Sequence, residues 1–232
     1  MAKKSQRPAR PQPMCVYCGM RPATTKDHVI PKCLFVTMPE RDTITVRVCR
    51  ECNEAKARDE AYFADTLQGD YLAYMHHPAA RHLADTRVRN SARQHSSDLV
   101  REMVEVYGRL RDSWMFAHIP DDAEFQMAVD GGRLARVLQY IVRGLHAHYL
   151  HAPIPTDCAI EVKRLGDDEI AEKLPRLLAL MMHGPYVIGD GVATIAYRVD
   201  SAETANGLWI LIFYGAVVFP ILTRSASYTP PT

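Results

Sequence analysis

An α+β fold is the class this sequence predicts, and three observations carry it. Two C-x-x-C pairs, Cys15 with Cys18 and Cys49 with Cys52, flank an alternating β-branched segment and lead into a run of helix formers. Leu134, Val137, Leu138, Ile141, Val142 and Leu145 recur at the spacing of one helix face. Short apolar, β-branched runs at Ala159–Val162, Ala193–Val199, 208–213 and 216–222 read as strands, the last two as a hairpin.

The chain divides into three parts. Residues 1–13 carry Lys3, Lys4, Arg7 and Arg10, three prolines and no acid, and read as a disordered basic arm. Such an arm fits a solvated tail or a phosphate contact equally well. Residues 14–66 form a cysteine-bearing module. Residues 43–48 alternate as a strand, and a helix is expected from Asn53 onward. Residues 67–232 make a helical and then mixed helix–strand region. Leu99, Val100, Met103, Val104, Tyr107 and Leu110 have helical spacing, with Ser97-Asp98 as a start signal. Residues 114–119 and 125–129 read as short strands. Pro175 is expected to break a helical pattern around 170–180. His148 falls on the apolar face of the 134–145 helix and is expected to be a satisfied core or helix-end histidine rather than a ligand.

Composition narrows the function classes. The 232 residues are 47% hydrophobic with a formal net charge of +1, so overall charge neither favours nor excludes nucleic acid. The apolar stretch 208–222 is shorter than the roughly 20 residues needed to span a bilayer, and Gly215 and Pro220 interrupt it. No apolar run follows the basic first residues. Four of six cysteines sit in C-x-x-C pairs, which favours metal over disulfides. The expectation is a reducing cytoplasm, no membrane, and a homo-oligomer contact, if any, through the C-terminal region.

Cys15, Cys18, Cys49 and Cys52 supply four thiolates, the full complement for tetrahedral zinc. Gly19 follows the first pair, where such a knuckle often needs a positive φ. The second pair precedes a helix, so redox chemistry also fits its spacing. Thirty residues lie between Cys18 and Cys49, against roughly 15–20 in a simple zinc ribbon. The insert contains Lys26-Asp27-His28-Val29-Ile30-Pro31-Lys32, and the second pair is followed by Asn53 and Lys56.

C-x-x-C, then D-H-V-I-P-K, then C-x-x-C-N-x-x-K resembles the HNH family of ββα-metal nucleases over residues 15–56. The resemblance implies an N-terminal ββα module in which zinc holds a hairpin to a helix and one divalent cation serves catalysis. It implies His28 as general base, and Asp27 and Asn53 as ligands of Mg²⁺ or Mn²⁺. Oxygen donors suit such hard cations, and an imidazole near its ordinary pKa takes a proton at neutral pH. Neighbours on a strand face opposite ways, so Asp27 and His28 are expected at a strand end or bend. Lys26, Lys32, Lys56 and Arg58 are expected to hold phosphates. The family usually has an Asn about five residues before the second knuckle; here position 44 is Ile, between Thr43 and Thr45.

The expected function is a metal-dependent endonuclease, on DNA ahead of RNA. A catalytically degenerate zinc module that only binds nucleic acid is the alternative, and an interaction domain with zinc as a clip is a third. His76, His77, His82 and His95 with Asp85 are candidates for a second metal site. Cys33 is expected to pack in the hairpin and the isolated Cys158 to be buried.

Overall fold

The computed structural model describes residues 12–41, 43–90, 129–201 and 205–226. The fold is α+β. Strands β1 (Thr25–His28) and β2 (Thr45–Val48) pair antiparallel, with a 3-10 turn at Lys32–Leu34 between them. Helix α1 (Arg50–Gln68) follows directly, then α2 (Tyr71–His76) and α3 (Pro78–Asn90). Helix α4 spans Gly131–Tyr149. The rest is a five-stranded antiparallel sheet in the order β3-β7-β6-β5-β4, built from β3 (Ala159–Val162), β4 (His183–Ile188), β5 (Ala193–Val199), β6 (Gly207–Phe213) and β7 (Val217–Arg224). Helix α5 (Asp167–Ala179) lies between β3 and β4 in sequence.

Period-2 alternation gives the sheet two apolar faces. Ile195, Tyr197, Trp209, Leu211, Phe213, Phe219 and Ile221 point to the face that joins the main core with α1, α4 and the hairpin. Ala196, Ile210 and Val218 point the other way, where Ile170, Leu174 and Leu177 of α5 cover them. All six residues of the predicted helical stripe on α4 are buried. That core runs without interruption from Cys15 to Ile221, so the cysteine module and the C-terminal sheet share one interior. The expected boundary at residue 66 falls inside the last turn of α1.

Several cross-links fix the module to the sheet. The buried Tyr214 hydroxyl, at the β6–β7 turn, donates to Leu34 O (2.8 Å) and accepts from Gln68 Nε2 (2.9 Å). Phe63 and Phe213 meet edge to face at 5.4 Å. Asp59 on α1 receives Arg133 Nε and Arg136 Nε of α4, each at 2.8 Å.

The structure corrects two expectations, the start of α1 and the role of Pro175, and adds two points that the sequence left open. Helix α1 begins at Arg50 rather than Asn53, because Cys49 is the cap: its Sγ accepts the Cys52 N–H. Pro175 does not end its helix; α5 runs through it to Ala179, held by its apolar side on the sheet. Of the two readings of His148, the helix end holds: it is exposed in the last turn of α4, and the buried histidine is His146. Strand β4 carries no alternation in the sequence and is not among the expected strands. The expected 99–110 helix and 114–119 strand lie outside the described residues, as do His95, residues 125–128 of the other expected strand, and residues 1–11 of the arm. The apolar stretch 208–222 is the β6–β7 hairpin, and among the described residues no helix is long and apolar enough to cross a membrane.

Candidate metal centre and hairpin–helix site

The two knuckles converge. The Sγ atoms of Cys15, Cys18, Cys49 and Cys52 all lie within 4.8 Å of one another. Tetrahedral zinc with bonds of about 2.3 Å needs sulfurs roughly 3.8 Å apart, so the four are placed to hold one metal ion. Gly19 has φ +64° and its N–H bonds to Cys15 O at 2.8 Å, the tight turn that its position predicts. Burial opposes the Cys18 thiolate, but the backbone amides of Met20 and Arg21 outweigh it and bring the thiol down to about 7. All six cysteines are unpaired thiols. Among the described residues this is the one cluster of three or more such side chains close enough to share an ion; His76, His77, His82 and Asp85 form no second one.

The hairpin places the next residues by register. Asp27 lies opposite Val46 and His28 opposite Thr45, in regular pairing. Of the expected strand end or bend, the structure shows the strand end: both residues sit in strand β1, His28 as its last residue, and they face opposite sides of the ribbon. Val46 and Val48 are buried on the side of Asp27, toward the helices, whereas Lys26, Thr45 and Arg47 are exposed on the side of His28.

Asp27 meets α1. Its Oδ2 accepts from Lys56 Nζ at 2.8 Å and from the Tyr17 hydroxyl at 2.6 Å. Lys56 Nζ also donates to the His28 carbonyl at 2.6 Å and pairs with Glu60 Oε1 at 2.9 Å. Three acceptors match the three donors of an ammonium, and the Lys56 side chain has no solvent exposure. The expectation that Lys56 holds a phosphate is thereby corrected. Asn53, half-buried, lies one turn before Lys56 on α1. Burial, and next the Asp27 charge, hold the Tyr17 phenol well above its ordinary pKa, so it stays a donor.

No family model, no curated protein and no solved structure matches this chain.

His28 is half-buried at a small recess lined by Ile30, Phe35, Thr43, Ile44 and Ile188. Burial, then the charge of Lys32, push its pKa below the ordinary value and keep the imidazole neutral at pH 7. Ile44, standing where the HNH pattern has a bracing Asn, is buried and holds the hairpin through its backbone: its carbonyl accepts the Val29 N–H at 2.9 Å. Lys26, Lys32 and Arg58 are exposed, and so is Arg47, opposite Lys26. Tyr17 and Arg47 are the residues that sequence reasoning misses. Nothing in the knuckle spacing signals that Tyr17 reaches Asp27, whereas the pairing of 43–48 with β1 is enough to bring Arg47 beside Lys26.

Proposed function

We propose that this chain is a metal-dependent endonuclease of the HNH type, acting on nucleic acid, DNA ahead of RNA. The observation that carries the reading is the Lys56 bridge. It ties the Asp27 carboxylate and the His28 backbone to α1 one turn from Asn53, while the His28 imidazole stands on the outer side of the same strand end. Asp27 and Asn53 offer oxygen donors of the kind Mg²⁺ or Mn²⁺ prefers. When bound, such a cation neutralises charge building on a scissile phosphate and on the leaving oxygen.

The chain's own groups supply the rest. His28, neutral at pH 7 and on the outer side of the ribbon, takes the proton of an attacking water. Lys26, Lys32 and Arg47 are exposed cations near His28 that would attract the phosphate backbone, and Arg58 is an exposed cation elsewhere on α1. Cys15, Cys18, Cys49 and Cys52 hold structural zinc that clips the first knuckle to the start of α1.

The alternative, a binding module without cleavage, draws support from Ile44 in place of the bracing Asn. A nicking assay on supercoiled plasmid with Mg²⁺ or Mn²⁺, comparing wild type with His28→Ala, separates the two. Metal-dependent nicking that the variant loses supports the nuclease. No nicking by wild type, or equal nicking by the variant, leaves the binding module.

A further inference from the structure

Lys56 is unusual for a lysine: its side chain is wholly enclosed, and each donor of its ammonium has an acceptor from a different group, Asp27, Glu60 and the His28 carbonyl. Two of these three lie 28 and 29 residues away in sequence, so the contact is made by the tertiary fold and not by the helix alone. Asp27 is correspondingly one-sided. Both of its bonds, from Lys56 and from Tyr17, fall on Oδ2, and Oδ1 has no hydrogen-bond partner among the described residues.

We propose that Lys56 and Tyr17 are positioning residues that leave Asp27 a single open oxygen, Oδ1, for a divalent cation, and that the Lys56 ammonium keeps this cation weakly held and exchangeable. The inference rests on the nuclease reading of the site and adds how the chain governs ion affinity there. A cation that took both carboxylate oxygens would have to displace two short hydrogen bonds from Oδ2. The fixed positive charge beside the carboxylate also opposes a second cation. Asp27, Glu60 and Lys56 sum to one negative charge, so a divalent cation and one bound phosphodiester complete a neutral site. Without Lys56 two carboxylates remain and attract the cation more strongly, while the His28 peptide loses its tether to α1.

Mn²⁺ alone is titrated into the zinc-loaded full-length chain and read by electron paramagnetic resonance, with plasmid nicking measured in parallel. Lys56→Met is expected to bind Mn²⁺ at least tenfold more tightly and to nick at least tenfold more slowly at saturating Mn²⁺. Lys56→Arg, which restores the charge, is expected to return the Mn²⁺ affinity to within threefold of wild type. Tyr17→Phe removes one of the two donors on Oδ2 with little change in volume; it is expected to bind Mn²⁺ about threefold more tightly and decides the matter if Lys56→Met does not fold. A purely structural lysine would lower thermal stability and weaken or leave unchanged the Mn²⁺ affinity. That result in Lys56→Met, or an unchanged or weakened affinity in Tyr17→Phe, overturns the proposal, as does a wild type that binds no Mn²⁺. A wild type that binds Mn²⁺ with these affinity shifts but nicks nothing removes the nuclease reading and leaves the inference about ion affinity standing.

Discussion

Gly144→Ala tests how tightly α4 supports the His28 end of the hairpin. An alanine Cβ there would lie 2.6 Å from Val29 Cγ2, 2.9 Å from Cγ1 and 3.3 Å from Cβ. Val29 follows His28, is fully buried, and is pinned by its N–H bond to Ile44 O. With all three of its side-chain carbons in the way, rotation about χ1 offers no escape. On a free helix face the substitution would stabilise by about 1 kcal/mol. Overpacking costs about 1–3 kcal/mol, and the crowding here argues for the upper part of that range. The net expectation is a loss of about 1–2 kcal/mol, or roughly 2–8 °C in Tm for a chain of this size. Val29→Ala alone removes two buried methyls and costs about 2 kcal/mol. The double variant lets the new methyl fill part of that space, so it should be more stable than Val29→Ala, with a favourable coupling of about 2–3 kcal/mol in a double-mutant cycle. Urea unfolding of the four proteins measures it. A Gly144→Ala protein more stable than wild type, or additive effects, would refute the close approach of α4 to Val29. Nicking by Gly144→Ala should slow as the His28 peptide shifts.

Three further outcomes follow from the same geometry. If the four cysteines hold zinc as proposed, chelation should unfold the module and with it the shared core, because structural zinc contributes about 10–16 kcal/mol in small domains against a total stability of about 5–15 kcal/mol; circular dichroism with and without a strong chelator reads this, and an unchanged melting curve would contradict it. Asp59→Asn should cost about 1–3 kcal/mol by leaving the half-buried Arg133 without its charged acceptor. Burial works against the Asp59 charge, but Arg136 and Arg133 outweigh it and hold its pKa low, so wild type should lose this stability as pH falls from about 4 through the folded value, and the variant should not. His146 is pushed below its ordinary pKa by burial, and its Nδ1–H already serves Ala152 O at 2.6 Å. The unfolded chain therefore takes the proton first, and stability should fall as pH drops below about 6.5 toward the folded pKa. His146→Gln, which keeps a donor for Ala152 O, should flatten that slope in urea titrations at pH 5 and 7.

Much of the fold is written in local pattern. The stripe from Leu134 to Leu145 has helical period and all of it is buried; β3 and β5 have the bounds their β-branched runs predict. Where the sequence misleads, a distant contact decides. Strand β4 contains Gly184-Pro185 and is almost wholly exposed at the sheet edge, so neither alternation nor propensity marks it. Pro175 survives inside α5 because Leu174, Leu177 and Leu178 rest on the sheet. Propensity starts α1 three residues late because a cysteine sulfur, not a Ser, Thr, Asp or Asn oxygen, accepts the free amide. At the site, the cysteine cluster is legible because four ligands at two short spacings admit few arrangements. The burial of Lys56 is not, since a lysine one turn into a helix reads as solvated until Asp27 and His28 are folded against it.

The nuclease reading stands on Asp27 and Asn53 sharing one divalent cation within reach of His28. Anomalous scattering from crystals soaked in Mn²⁺ tests this most directly. A shared site predicts a manganese peak roughly 2.0–2.6 Å from Asp27 Oδ1 and the Asn53 amide oxygen, separate from the four-cysteine cluster. A peak only at the cysteines, or one bound at Glu60 with Asp27 still closed on Lys56, would contradict it.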